Sequence, residues 1–211
     1  AKSIELSREL AAAGADGLLT VVPYYNRPTQ EGLYRHFSAI ADSVNVPVIL
    51  YNVPGRTVCD MLPETVVRLS EHPRIVGIKE ATGDMLRAAS ILGAAKPGFL
   101  LLSGDDPTAA ELMKRGARGV ISVTANVAPR AMHDMCIAAL EGRYAEAAAR
   151  NEQLMPLHLA MFVEPNPIPV KWAVARLGLI ERGIRLPLTS LSERLETEML
   201  AAMKATGVRI A

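Results

Sequence analysis

The sequence predicts an α/β fold of about five βα units, followed by a C-terminal helical domain. Five short runs are almost continuously apolar and rich in β-branched residues, which is typical of strands buried on both faces. Helical patterns separate these runs, so that strand starts recur about every 20 to 30 residues, the period of parallel units with right-handed crossovers. Beyond Pro129 no further run of this kind follows.

The strand predictions follow the five apolar runs. They span residues 17–23, 46–53, 75–81, 99–104 and 119–125. An amphipathic helix precedes them, because AKSIELSREL places apolar residues on one helical face before Gly14 stops the pattern. We therefore expect the chain to begin in the middle of a repeating pattern, and it has no initial methionine.

The helix predictions rest on apolar stripes and on start signals. Residues 29–44 form a helical pattern with three large apolar residues on one face. These are Leu33, Phe37 and Ile40. Pro63 occupies the first turn of the next helix, and Asp84 and Asp106 are each expected to cap a further helix.

The last part of the chain is predicted to be helical. Three or four helices are expected, over residues 129–140, 144–162, 167–177 and 191–205. We therefore place a domain boundary after residue 128. Residues 1–128 form the βα part, and residues 129–211 form the helical domain.

Two architectures accommodate five βα units: an open doubly wound sheet and part of a (β/α)8 barrel. The open sheet usually carries a G-x-G-x-x-G turn after its first strand, and the sequence has none. Periodicity alone does not decide between the two. The barrel interpretation requires three further βα units before Ala1.

Composition argues against several classes of function. Lysine and arginine number 23 against 22 acidic residues, a net charge of +1, so the chain has no field that attracts nucleic acid or anionic lipid. Apolar runs stay below the roughly 18 residues needed to cross a bilayer, and the first residues lack a signal-peptide core. We expect a cytoplasmic protein. The four histidines lack ligand spacing and no P-loop or serine nucleophile elbow is present, so we expect no metal and no cofactor.

Polar and reactive residues follow the predicted strands. In both architectures the loops at the carboxyl ends of the strands build the active site. Those loops contain PYYNRP at 23–28, YNVPGRT at 51–57, KEATGD at 79–84, SGDD at 103–106 and SVTAN at 122–126.

Lys79 is the first candidate catalytic residue, because it follows the apolar run IVGI. Burial disfavours an ammonium and lowers the pKa of a lysine, which frees the neutral amine to attack a carbonyl and form a Schiff base. The neighbouring Glu80 points to the opposite face of a strand and is expected to be a structural partner. The alternative is a surface lysine paired with a carboxylate.

Tyr51 and Arg56 are the next candidates. Tyr51 ends the preceding strand, so adjacent strands would place its hydroxyl beside the Lys79 amine, where it can move protons. Arg56 lies in the loop just after it and can clamp a substrate carboxylate. Gly104 can present backbone groups to a ligand. Tyr51 and Arg56 also have structural alternatives, as a core tyrosine and a solvated arginine.

Several long blocks of this sequence resemble the dihydrodipicolinate synthase family of pyruvate-dependent class I aldolases. The blocks are PYYNRPTQEGLYRHF, YNVPGRTVCDMLPET, GIKEATGD, LLSGDD, GVISVTAN and EPNPIPVKW. The related N-acetylneuraminate lyases share the tyrosine and lysine plan but are less similar around PYYNRP and EPNPIPVKW.

The resemblance implies a TIM barrel with a C-terminal helical domain. It implies condensation of pyruvate with L-aspartate 4-semialdehyde to 4-hydroxy-tetrahydrodipicolinate, in the diaminopimelate route to lysine, by a homotetramer built as a dimer of dimers. Lys79 matches the imine-forming lysine and Tyr51 the proton donor and acceptor. Tyr25 matches the tyrosine that family members lend across a dimer interface to the neighbouring proton relay.

The resemblance also implies binding residues. Arg56 matches the arginine that binds carboxylate at the site entrance. The backbone of Gly104 and Ile121 and the side chain of Asn166 match positions that line the substrate pocket. Tyr24 matches a tyrosine of the lysine feedback site.

The sequence departs from the family pattern at its beginning. The first three strands and a Gly-Thr-Thr-Gly-Glu loop are absent, so we expect these residues to be part of a longer protein or to come from a truncated gene. A non-catalytic assembly or regulatory subunit and another pyruvate aldolase of the same superfamily are the alternative functions. Lys2 replaces a glutamate of lysine-inhibited members, and we expect weak feedback inhibition because like charges repel.

Overall fold

The structure, a computed structural model, describes residues 2–210 and divides into two compact units. The first unit contains the residues up to Asp105 together with Arg115–Ile121. The second contains Asp106–Lys114 together with the residues from Ser122 onward. The domain boundary placed after residue 128 stays a prediction.

The first unit is a parallel four-stranded sheet with helices between its strands. The strands are β1 (Leu18–Val21), β2 (Val48–Asn52), β3 (Ile75–Glu80) and β4 (Leu100–Ser103). The helices are α1 (Lys2–Ala12), α2 (Gln30–Asp42), α3 (Pro54–Thr57), α4 (Pro63–Ser70) and α5 (Met85–Ala94). The first four strand predictions are therefore confirmed.

The strand order distinguishes the two architectures. The strands lie in the sequential order β1-β2-β3-β4, and every pair is parallel. A doubly wound sheet reverses its order at a switch point, whereas a barrel adds each strand beside the previous one. The observed order is therefore that of a barrel segment.

The core of the first unit lies between the sheet and its helices. The stripe predicted on α2 is fully buried, as are the central strand residues Leu50, Ile78 and Leu101. Thr29 caps α2 by accepting from the Gly32 backbone N–H at 3.2 Å. Asp84 caps α5 as predicted, because its Oδ1 accepts from the backbone N–H groups of the first turn at 2.8 and 3.1 Å.

The predicted strand over residues 119–125 is wrong beyond a single bridge. Val120 pairs with Ser103, whose N–H donates to the Gly119 carbonyl at 2.9 Å. The chain then turns into a short 3₁₀ helix at Thr124–Asn126. The next N–H groups of the run, at Val123 and Thr124, donate to the Asp106 carboxylate at 2.9 and 3.0 Å. The Asp106 carboxylate thus accepts backbone N–H groups that a longer strand would donate to its neighbour in the sheet.

The same contacts overturn the prediction that Asp106 caps a helix. The helix that follows, α6 (Ala109–Lys114), begins three residues later. The Asp106 side chain is 2% exposed and its Oδ2 serves the segment around Thr124 instead. An Asp-Pro pair marks a turn equally well, and the local sequence does not distinguish the two uses.

The second unit is helical. After α6 it contains α7 (Pro129–Leu140), α8 (Tyr144–Ala160), α9 (Ile168–Arg176) and α10 (Glu193–Ala205). The four helices predicted in the tail are confirmed, each within two residues at either end. Helix α8 packs against both α7 and α10. The buried His158 of α8 shares a hydrogen bond of 2.8 Å with the Thr124 hydroxyl.

Across residues 2–210, no helix is both long enough and apolar enough to span a membrane.

Gly77 provides a test of how closely β3 and β4 pack. A Cβ at Gly77 would lie 2.6 Å from the Leu100 carbonyl oxygen and 2.8 Å from its Cβ. We expect Gly77→Ala to lower the free energy of unfolding by about 1–3 kcal/mol, because overpacking forces the strands apart. The urea midpoint measures this change.

The matched control is Gly93→Ala on α5, where a Cβ meets nothing within 4 Å. That substitution should leave stability unchanged or raise it by about 1 kcal/mol, because alanine favours the helix. Equal midpoints for the two variants would contradict the close strand contact.

Candidate active site

The candidate site centres on a pair of residues on adjacent strands. In the parallel register of β2 and β3, Tyr51 lies directly opposite Lys79. The Lys79 Nζ lies 4.2 Å from the centroid of the Tyr51 ring. The neighbourhood of these two residues, predicted from the sequence, is therefore confirmed.

The pair lies where the strands end, and both side chains are half-buried. Burial raises the pKa of the Tyr51 hydroxyl above 10.0, and the positive charge of Arg56 opposes that shift to a smaller extent. The phenol is therefore protonated throughout the neutral range. It can donate a proton to an atom held beside the lysine amine.

Gly104 provides the space through which the lysine stem passes. A Cβ at this position would lie 3.0 Å from the Lys79 Cε and 2.5 Å from the Ala81 Cβ. The Gly104 N–H donates to the Glu80 carbonyl at 2.8 Å, which fixes the glycine against β3. A larger residue would clash with Ala81 and crowd the lysine stem, so the structure gives a steric reason for this glycine. Its ligand-binding role stays a prediction.

Arg56 lies in the short helix α3, one turn after the end of β2. Its side chain is exposed, and its charge acts on the Tyr51 hydroxyl. Val58 closes this turn in the left-handed conformation, with φ of 54°, and its N–H donates to the Pro54 carbonyl. The charge of Arg56 therefore acts on the tyrosine from the segment that follows β2.

Ile121 reaches the same edge of the sheet. Its N–H donates to the Ser103 carbonyl at 2.9 Å, so it lies beside the end of β4 where Gly104 follows. The structure therefore brings together four sequence-predicted residues around Lys79 in the first unit. They are Tyr51, Arg56, Gly104 and Ile121.

Tyr24 and Tyr25 lie on the loop after β1. Their side chains are 71% and 92% exposed. Tyr25 adopts φ of 72° and Arg27 φ of 41°, which are uncommon for residues other than glycine. Tyr24 lines a groove of about 710 Å³ formed with α1 and β1.

Asn166 belongs to the second unit. It lies two residues before the start of α9 and is half-buried. Its assignment to the substrate pocket stays a prediction, as do the roles of all the residues named above.

A polar network on the opposite side of the strand pair was only partly predicted. Glu80 is 2% exposed and is bound by Arg87 at 3.0 Å, so its expected structural role is confirmed. Asn52 and Asp60 complete the network. Asp60 and Arg87 are 27 residues apart, and no sequence pattern predicts their contact. The only sequence signal for this network was the position of Glu80 next to Lys79 in a buried strand, which indicated that Glu80 has a structural partner.

Within the part of the chain that the structure describes, no group of three or more histidine, cysteine, aspartate or glutamate side chains is arranged to hold a metal ion.

Comparison with known proteins identifies the family. The model of the dihydrodipicolinate synthetase family matches residues 1–206. A relative from Stutzerimonas stutzeri (strain A1501), named 4-hydroxy-tetrahydrodipicolinate synthase, is 59% identical over 207 residues, which cover 98% of this chain and 71% of the relative.

Solved structures agree with this match. The chloride-inhibited dihydrodipicolinate synthase from Acinetobacter baumannii, complexed with pyruvate, matches with a TM-score of 0.95 and 51% identity over 98% of this chain and 71% of its own. The enzyme from Cyanidioschyzon merolae with lysine bound matches with a TM-score of 0.94 and 40% identity over 98% of this chain and 70% of its own.

These structures are TIM barrels, so the fold class predicted from the sequence is confirmed. The matches include the strand ends that carry Lys79 and Tyr51, because they extend over nearly the whole chain. The chain belongs to the dihydrodipicolinate synthetase family.

Proposed function

We propose that this chain is the catalytic part of a 4-hydroxy-tetrahydrodipicolinate synthase. The reaction condenses pyruvate with L-aspartate 4-semialdehyde in the diaminopimelate route to lysine. The observation that carries the proposal is the Lys79 amine held 4.2 Å from the Tyr51 ring at two adjacent strand ends. A lysine beside a protonated phenol is the pair of groups that imine chemistry requires.

The Lys79 amine attacks the ketone carbon of pyruvate, and the resulting carbinolamine loses water to form an imine. Both steps move protons, and in this proposal the Tyr51 hydroxyl gives and takes them. Loss of a methyl proton then gives an enamine. The enamine carbon attacks the aldehyde of the second substrate, and the new alkoxide takes up a proton.

Arg56 binds a substrate carboxylate in this proposal. Both substrates carry carboxylates, and an exposed guanidinium at the site entrance offers two parallel hydrogen bonds. The backbone of Gly104 and Ile121 binds substrate in this proposal, and Asn166 is assigned to substrate binding as well. The support for Gly104 is its close packing, since a Cβ there would lie 2.5 Å from the Ala81 Cβ and 3.0 Å from the Lys79 Cε.

Tyr25 serves the site of a neighbouring subunit in a homotetramer. Its side chain is 92% exposed and its backbone is in the left-handed region, which costs about 1 kcal/mol or more for a residue with a Cβ. Such strain is often kept at functional positions. A tyrosine held outward in this way is available to a second chain. Tyr24, on the groove beside α1, is assigned to a lysine feedback site. A cytoplasmic location stays a prediction.

Borohydride reduction tests the imine directly. With pyruvate present, reduction should attach a stable three-carbon adduct to Lys79, which peptide mass spectrometry locates. Lys79→Arg keeps the positive charge but should give no adduct, since a guanidinium does not form the imine. A folded protein in which Lys79 stays unlabelled would contradict the proposal and favour a non-catalytic subunit.

Tyr51→Phe separates proton transfer from imine trapping. Removing the hydroxyl should lower the condensation rate about 10²-fold to 10⁴-fold, the usual contribution of a positioned acid or base. The adduct on Lys79 should still form, more slowly. Steady-state turnover and the trapping rate measure the two effects.

The same variant reports the pKa of the phenol. Because burial raises the pKa of Tyr51 above 10.0, the protonated form stabilises the folded state. That stabilisation is complete below pH 10 and is lost as pH rises through the raised pKa. An alkaline absorbance titration of wild type and Tyr51→Phe measures this. The tyrosinate signal that the variant lacks should develop at a pH above 10. A missing signal centred at or below pH 10 would contradict the assignment.

Mixing two inactive variants tests the role of Tyr25. Tyr25→Ala and Lys79→Ala should each be inactive alone. After subunit exchange, activity should return to about a quarter of wild type, because about half of the dimers are mixed and each has one intact site. Lys79→Ala mixed with Tyr51→Phe is the control. In the proposal each site takes both residues from the same subunit, so every site of a mixed dimer lacks one of them and activity should not return. Recovery in neither mixture would overturn the role of Tyr25 across the interface.

A further inference from the structure

The two strands that carry Lys79 and Tyr51 have a second pair of residues one position further on. Asn52 lies opposite Glu80 in the same parallel register. Successive side chains of a strand point to opposite faces, so this second pair lies on the side of the sheet away from the lysine. Both residues are buried, at 0% and 2% exposure.

Arg87 on α5 joins this pair to a distant loop. Its Nε donates to the Glu80 carboxylate at 3.0 Å, and its two terminal nitrogens donate to the Asp60 carboxylate at 3.1 and 2.8 Å. One of them also donates to the Met61 carbonyl. The Arg87 side chain is 10% exposed and that of Glu80 is 2% exposed, so the bond between them is largely shielded from water, whereas the Asp60 side chain is 39% exposed.

Asn52 closes the network from the strand side. Its amide nitrogen donates to Asp60 at 3.0 Å and to Glu80 at 3.3 Å, and its oxygen accepts from the Met61 N–H at 3.0 Å. We call these four side chains, Asn52, Asp60, Glu80 and Arg87, the polar clamp. The clamp ties the ends of β2 and β3 to residues 60 and 61.

The clamp therefore encloses the segment that carries Arg56. Residues 53–59 are held at one end by β2 and at the other by Asp60 and Met61. A further tie reaches the start of α2, where the Gln30 side chain donates to the Asp60 carbonyl at 2.8 Å and accepts from the Leu62 N–H at 3.1 Å.

We propose that the polar clamp is a positioning device for catalysis, with Arg87 as its central residue. This inference rests on the proposed function of Lys79 and Tyr51. Arg87 binds Glu80 on the face of the sheet away from Lys79 and Tyr51. It acts through Glu80, whose backbone is continuous with Lys79, and through Asp60, which fixes the loop of Arg56. A guanidinium is suited to this task because its rigid fork bonds two carboxylates at fixed angles, which an ammonium cannot do.

Arg87→Lys keeps the charge and removes the fork, and it is the principal test in the native protein. We expect kcat and the rate of imine trapping at saturating pyruvate to fall about 10-fold to 100-fold, as expected when reacting groups are misplaced by about 1 Å. The KM for pyruvate should rise as well, because the Arg56 loop is no longer held. All rates are measured below the unfolding temperature of each variant.

Arg35→Lys is the matched control in the same unit. Arg35 forms an ion pair with Glu31 at 2.7 Å, but its side chain is 78% exposed and takes no part in the clamp. The same substitution there should leave kcat, KM and trapping unchanged. Asp60→Asn is a second variant of the clamp. It retains the shape of the side chain but removes its charge, and it replaces Arg87→Lys as the test if that variant does not fold.

The Arg87→Lys and Asp60→Asn double variant distinguishes positioning from general stability. If the residues act as one unit, the loss of kcat in the double variant should equal that of the worse single variant. Folded single variants with wild-type kcat, KM and trapping rate, even at a lowered melting temperature, would overturn the inference. Wild-type protein without a trapped adduct would instead refute the proposed function, and this inference with it.

Discussion

The parallel register between β2 and β3 is the constraint on which the site depends. It places Tyr51 opposite Lys79 on one face and Asn52 opposite Glu80 on the other. A slip of one residue in either strand would bring a catalytic residue to the face of the clamp, because strand side chains alternate. On the other side of β3, the close approach of Gly77 to Leu100 restricts how β3 and β4 can pack.

The two faces of this strand pair differ in their electrostatics. On the clamp face, two acidic side chains share one guanidinium and an amide, since a buried carboxylate without a partner is costly. On the catalytic face, the Lys79 amine meets an aromatic ring, and burial keeps the Tyr51 hydroxyl protonated. The charged groups that fix the strands are thus kept apart from those that react.

The errors of prediction have a common cause. The run over residues 119–125 has the composition of a strand, and Asp106 with Pro107 has the composition of a helix start. In the folded chain each satisfies the other, because the Asp106 carboxylate accepts the N–H groups of Val123 and Thr124. A local sequence pattern indicates the secondary structure that a segment favours in isolation. A buried carboxylate, in contrast, accepts hydrogen bonds from whichever N–H groups the fold brings to it.

The sequence by itself determined the four strands β1 to β4, most helix starts and the neighbourhood of Lys79 and Tyr51, because apolar periodicity, capping chemistry and strand alternation act over a few residues. It also carried the family resemblance, since the blocks at the strand ends are long and specific. Only the tertiary structure decided the contacts between distant segments. Arg87 bonds Asp60 across 27 residues, and Gly104 yields space to the Lys79 stem. Such contacts depend on distances between whole elements, which no local pattern encodes.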